Sequence, residues 1–199
     1  MERRRALGLI ILYEGGLGVV AVSIGYFTNW HFWKHLSWNT GLFFQSVLAT
    51  IPMFVFFYLI FKLPLPAFTR IVAEIQEIIP LLFGKLKFFD LLFASFLAGL
   101  GEELLFRGLM QYHITGFIGQ IPSLLIVSIA FGLAHLITFG YAIIATIYGL
   151  YLGLLALYFD NLLSPIIAHT FYDFIALVYY MYFGKNSPNE KLGNRNDKN

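Results

Sequence analysis

Six apolar runs, each close to the thickness of a bilayer, fix what this chain can fold into. They cover residues 7–27, 41–61, 88 to about 109, 121–138, 139–159 and 164–183. A helix of ~20 residues, rising 1.5 Å per residue, crosses the ~30 Å hydrocarbon core. Hydrocarbon offers the backbone no hydrogen-bond partner, so runs of this length span as helices. The composition agrees. Of the 199 residues, 59% are hydrophobic and 12% are charged, whereas a soluble domain is about a quarter charged. The expected fold is all-α: a polytopic membrane bundle of about six transmembrane helices, forming one integral membrane domain over residues 1–183. Residues 184–199 are too polar to pack and read as a disordered tail. No small-residue cleavage site follows the first run, so it reads as a span and not as a signal peptide.

The segments between the runs differ in kind. In residues 62–90, Arg70, Glu74 and Glu77 fall at i, i+4, i+7 on one helical face, with Ile71, Ile75, Ile78 and Ile79 on the other. This is the pattern of an amphipathic helix lying on the membrane surface. Residues 29–39 hold Trp30, Trp33 and Trp38 among His31 and His35, which reads as an interfacial aromatic belt and not as a metal site. Residues 111–120 read as a connector with His113 at the interface, and Asp160-Asn161 as a turn. Pro52 is expected to kink the second span. Gly149 and Gly153, four apart, allow close helix approach.

Positive charge sets an orientation. Six spans put both termini on one side. Arg3, Arg4, Arg5, Lys62, Arg70, Lys85, Lys87, Lys185, Lys191, Arg195 and Lys198 then share that side, which is eleven of the 13 Lys and Arg. Cytoplasmic loops carry the excess of Lys and Arg, so both termini of a multi-pass cell-membrane protein are expected in the cytoplasm. The chain has no cysteine, which excludes disulfides, thiolate metal sites and cysteine nucleophiles. No basic cluster interleaved with aromatics points to nucleic acid. The expected partners are the lipid bilayer and a membrane-associated peptide or protein.

Charge inside the spans points to chemistry, because each ionisable residue in hydrocarbon costs roughly 2.5–3.5 kcal/mol on insertion scales. The third run contains Glu102, Glu103 and Arg107; the fourth ends near His135; the sixth holds His169 and Asp173. Glu103 and Arg107 are four apart and can pair on one face. Glu102 points about 100° away and is left for another task. His169 and Asp173 again share a face. At 1.5 Å per residue from one membrane face, Glu102 lies about 16 Å deep, His135 about 21 Å, Asp173 about 14 Å and His169 about 8 Å. These depths scatter around the midplane and allow one shared pocket. Glu14, beside Gly15-Gly16 in the first run, either lines that pocket or pairs with a cation.

A buried glutamate beside a histidine can deprotonate a water and later protonate a leaving amine. A histidine one turn from Asp173 can donate to a developing oxyanion. Alternatively, Glu102, His135 and His169 can hold one divalent metal such as zinc with an open position. Both routes end in water attack on an amide. The His-Glu-x-x-His signature of soluble zinc proteases is absent. Two other classes remain beside the hydrolase: a non-catalytic membrane binding or immunity module, and a proton or ion transporter using the same carboxylates.

Glu102-Glu103-x-x-x-Arg107, then Phe131-x-x-x-His135, then His169-x-x-x-Asp173 together resemble the CAAX protease and bacteriocin-processing family, also called the abortive-infection family. The likeness covers about residues 88–183. It implies an intramembrane endopeptidase in which Glu102 and His135 activate the water. It implies that His169 and Asp173 stabilise the oxyanion, Asp173 either as a protonated donor or by orienting His169. Glu103 and Arg107 would hold the geometry. The family has been described as metalloproteases, and a metal-free glutamate mechanism is also proposed for it. Six spans are fewer than the eukaryotic-type members have, which favours a prokaryotic-type member.

Overall fold

The computed structural model describes residues 1–182, and among them every regular element is helical. The tail at 184–199 lies outside the described residues. Seven helices form the bundle: α1 Arg3–Phe27, α2 Thr40–Lys62, α3 Pro66–Phe83, α4 at 88–118, α5 Gln120–Ala134, α6 Phe139–Phe159 and α7 Leu163–Tyr182. By length and composition, α1, α2 and α6 can each cross a membrane. Their outward faces carry Leu12, Phe27, Phe44 and Tyr158, all well exposed, as a lipid-facing surface requires.

Three expected boundaries move. The third run does not end near Leu109: Tyr112–Ile118 continues the helix, so the connector read at 111–120 shrinks to Gly119. That residue has φ +86°, a backbone conformation that favours glycine. The fourth run stops at Ala134, not at Thr138. At 15 residues it is about 22 Å long and short of the ~30 Å core. His135 follows directly after its last turn. The second run is interrupted at Ala49, between Thr40–Leu48 and Thr50–Lys62. Pro52 explains the break, since it has no N–H for the carbonyl of Leu48.

The polar loop at 29–39 folds onto the bundle as well as bordering it. Phe32 is fully buried in a short 3₁₀ turn, Phe32–His35, against Ala21, Leu104 and Leu162. Trp30 Nε1 reaches the carbonyl of Gly108 at 3.4 Å, while Trp38 stays 71% exposed.

Helices α1 and α4 run parallel in fixed register. Arg3 forms a two-pronged ion pair with Asp90, Nε to Oδ2 at 2.6 Å and Nη2 to Oδ1 at 2.7 Å. Farther along, Gly101 packs directly under the carbonyl of Glu14, where a Cβ would have no room. Both pairs have the same offset of 87 residues. The two helices therefore start at one end of the bundle, and the chain between them must return to that end. Helix α2 makes the return, and α3 stays at that end as the amphipathic element, as its sequence pattern implies. Helices α4 and α7 form the centre, and α4 touches α1, α5, α6 and α7.

Candidate active site

The site is built where the π-helical turn of α4, the end of α5 and the middle of α7 meet. Immediately after Glu102 and Glu103, α4 widens into a π-helix over Leu104–Gln111, with Tyr112 N–H bonded to the carbonyl of Arg107. Such insertions are uncommon and recur at functional sites. A second π turn, Ile11–Gly15 in α1, packs against the preceding part of α4, Phe88–Glu103, and carries Glu14.

The expected i, i+4 pair forms. Arg107 Nη1 donates to Glu103 Oε1 at 2.9 Å, with both side chains fully buried. Arg107 Nη2 donates to the carbonyl of Gly149 at 2.7 Å, and its guanidinium carbon sits 4.5 Å over the Phe131 ring. One turn on, Gln111 Nε2 donates to the carbonyl of Gly153 at 3.0 Å. The glycine pair on α6 is thus used by polar side chains of α4 reaching its backbone. The two terminal nitrogens of Arg107 are thus held by a carboxylate and a carbonyl and its plane by an aromatic face, while Nε is buried without a hydrogen-bond partner.

Glu102 turns the other way and meets His135, Oε2 to Nε2 at 3.5 Å. That approach is too long for a good direct hydrogen bond and too short to admit a water between the two atoms, so a water shared by them lies to one side, in the cavity. His135 Nδ1 lies 2.8 Å from the carbonyl of Phe131. A carbonyl only accepts, so Nδ1 carries the hydrogen and Nε2 faces Glu102. The Phe131 ring stacks on His135 with centroids 4.5 Å apart. Phe131 therefore orients the histidine through its carbonyl and ring while its ring also supports Arg107. The i, i+4 spacing in the sequence signalled the shared face but not this double contact.

His169 departs from the simplest expectation. It does not contact Glu102. Its Nδ1 donates to Glu103 Oε1 at 2.9 Å, and its Nε2 lies 3.4 Å from Asp173 Oδ2. The straight-helix depth estimate separates His169 from the glutamates, but α4 and α7 cross tightly at Gly99. A Cβ there would collide with Thr170, the neighbour of His169. That close crossing brings His169 to Glu103.

The six residues line or back one cavity of about 210 Å³. Glu102, His135, His169 and Asp173 occupy one part of its wall. Met53, Phe57, Ile75, Ile78, Ile144 and Leu152 supply much of the rest, and α3 closes one side. Glu74 corrects the helical-wheel reading: it does not share the solvent face with Arg70 and Glu77, which are exposed. It lines the cavity and accepts a hydrogen bond from Thr138 Oγ1 at 2.6 Å. On the wheel it lies about 40° from Ile78, so it borders the apolar face and turns inward with it.

Glu14 takes neither role read for it. It pairs with no cation among the described residues, and it does not line this cavity. Its Oε2 is buried without a hydrogen-bond partner, and its electrostatic neighbours are Glu102, Asp173, His169 and His135. A charge in the first apolar run was the only signal for it.

Both ring nitrogens of His169 face carboxylates, and among the described residues no three His, Asp or Glu side chains converge as ligands would. The expected triad of Glu102, His135 and His169 does not fit a metal in this arrangement.

Comparison with known proteins agrees with the motifs. Residues 84–175 match the family described as type II CAAX prenyl endopeptidase Rce1-like. No curated protein and no solved structure matches the chain. The matched stretch contains all seven motif residues, on α4, on α5 and just beyond its end, and on α7, and residues 84–175 are an Rce1-like domain of the CAAX protease family.

Proposed function

We propose that this protein is an intramembrane endopeptidase that hydrolyses a peptide bond of a membrane-associated protein or peptide with a water activated by Glu102 and His135. The observation that carries the reading is the 3.5 Å gap between Glu102 Oε2 and His135 Nε2 at the cavity wall. A water on the cavity side of this pair, within reach of both atoms, donates a hydrogen to each and keeps an oxygen lone pair for attack. Glu102 takes the proton as the carbonyl carbon becomes tetrahedral and returns it to the leaving amine. No metal is needed for this sequence of proton transfers.

His169 is the oxyanion partner in this scheme. Both its ring nitrogens face carboxylates, which only accept, so the ring is an imidazolium: Nδ1–H is fixed on Glu103, and Nε2–H, beside Asp173, is the donor to the oxyanion. Asp173 then acts by orienting the ring. Glu103 and Arg107 hold the assembly. Donors fixed in advance stabilise developing charge without reorganisation. The cavity is bounded by α3, at the end where α1 and α4 begin. With the arginine-rich N-terminus in the cytoplasm, the substrate enters from the cytoplasmic leaflet.

The test is a comparison of membrane-fraction peptides from cells producing wild type and Glu102→Ala at equal levels. The expected result is a set of cleaved termini present only with wild type. Identical products from both would overturn the reading.

A further inference from the structure

We propose that Glu74 is a specificity residue at the mouth of the cavity, and that the site takes an apolar peptide segment flanked by a basic residue. This rests on the peptidase reading and extends it to the substrate. Glu74 belongs to α3, outside residues 84–175 and outside the three motifs.

Exposure tells mouth from floor. Glu102 and His169 are 5% and 6% exposed, whereas Glu74 and Thr138 are half-buried. Thr138 holds Glu74 by Oε2 alone, so Oε1 remains for a ligand. At the floor, Glu102 Oε2 is buried with no hydrogen-bond partner. Every formally charged cavity-lining residue besides the histidines is acidic: Glu74, Glu102 and Asp173, with no Lys or Arg. Arg107 is committed to Glu103 and Gly149 behind the wall.

Low-dielectric walls focus such a field. A substrate Asp or Glu entering there meets like charge and loses hydration, while a Lys or Arg is attracted. Ile75, Ile78 and Phe57 also line this cavity and suit apolar side chains. The basic residue sits at Glu74, and the bond in the apolar segment next to it reaches Glu102 and His135.

The experiment uses the full-length protein in lipid nanodiscs and fluorogenic peptides with one apolar core. The peptides differ only at one flanking residue, Lys, Gln or Glu, placed at either end. Binding is read by anisotropy and cleavage by kcat and KM. Wild type is expected to favour Lys over Glu by roughly tenfold or more, carried by KM and reduced by salt. Glu74→Gln flattens the preference and Glu74→Lys inverts it, while Glu77→Lys on the exposed face leaves it unchanged. Glu74→Gln keeps the shape of the residue and serves if Glu74→Lys fails to fold. A Lys-to-Glu ratio indifferent to Glu74, or no binding of the Lys peptide, overturns the proposal. Binding preferences that follow Glu74 without any cleavage leave the specificity standing and remove the peptidase reading. Cleavage that needs Glu102 but ignores Glu74 does the reverse.

Discussion

Replacing Arg107 with leucine tests how this bundle tolerates charge in its core. The guanidinium is fully buried, 2.9 Å from Glu103 Oε1, 2.7 Å from the carbonyl of Gly149 and 4.5 Å above Phe131. Leucine keeps much of the apolar contact and removes the charge. Glu103 is then left with no exposure and His169 as its hydrogen-bond partner. Removing one partner of a buried ion pair costs about 3–5 kcal/mol. The stranded Gly149 carbonyl adds little, since hydrogen bonds between transmembrane helices average about 0.6 kcal/mol. The expected loss for Arg107→Leu is therefore about 4–6 kcal/mol, dominated by the uncompensated carboxylate. The double variant Glu103→Leu/Arg107→Leu removes both charges and is expected to recover roughly 2 kcal/mol or more of that loss. It stays inactive, because His169 no longer has Glu103 to hold it. Reversible SDS unfolding of the detergent-solubilised protein, followed by fluorescence of the three tryptophans, measures both variants and the Glu103→Leu single. A loss under about 1 kcal/mol for Arg107→Leu, or a double variant as unstable as the sum of the singles, refutes the reasoning.

Two further outcomes are expected. Gly101→Ala forces a methyl group against the Glu14 carbonyl and should lower stability by about 2 kcal/mol while separating α1 from α4; equal stability and activity in the same SDS titration would show that the α1–α4 contact is not tight. Incubation with a zinc chelator such as phenanthroline should leave cleavage within about twofold of the untreated protein, because among the described residues no three ligands converge; a loss restored by added zinc would show that the site rearranges around a metal.

Much of this molecule was legible in one dimension. The helical membrane class follows from run length and hydropathy, since only helices satisfy their own backbone in lipid. The α3 pattern separates a surface helix from a span. Local i, i+4 spacing gives the Glu103–Arg107 and His169–Asp173 pairs, because these contacts lie within one turn of one helix. Each departure concerns something that spacing does not encode. The end of α5 at Ala134, which leaves His135 just beyond the helix at the cavity wall, is invisible in a run that stays apolar to Thr138. The partner of His169 depends on a crossing between α4 and α7 that Gly99 permits. The inward turn of Glu74 depends on where α3 settles over the cavity, because a residue at the border of an amphipathic face can go either way. The sequence alone determined which residues are costly to bury and which helix carries each. Only the tertiary structure decided which of them meet, because crossing and register between helices are set by packing contacts far apart in the chain.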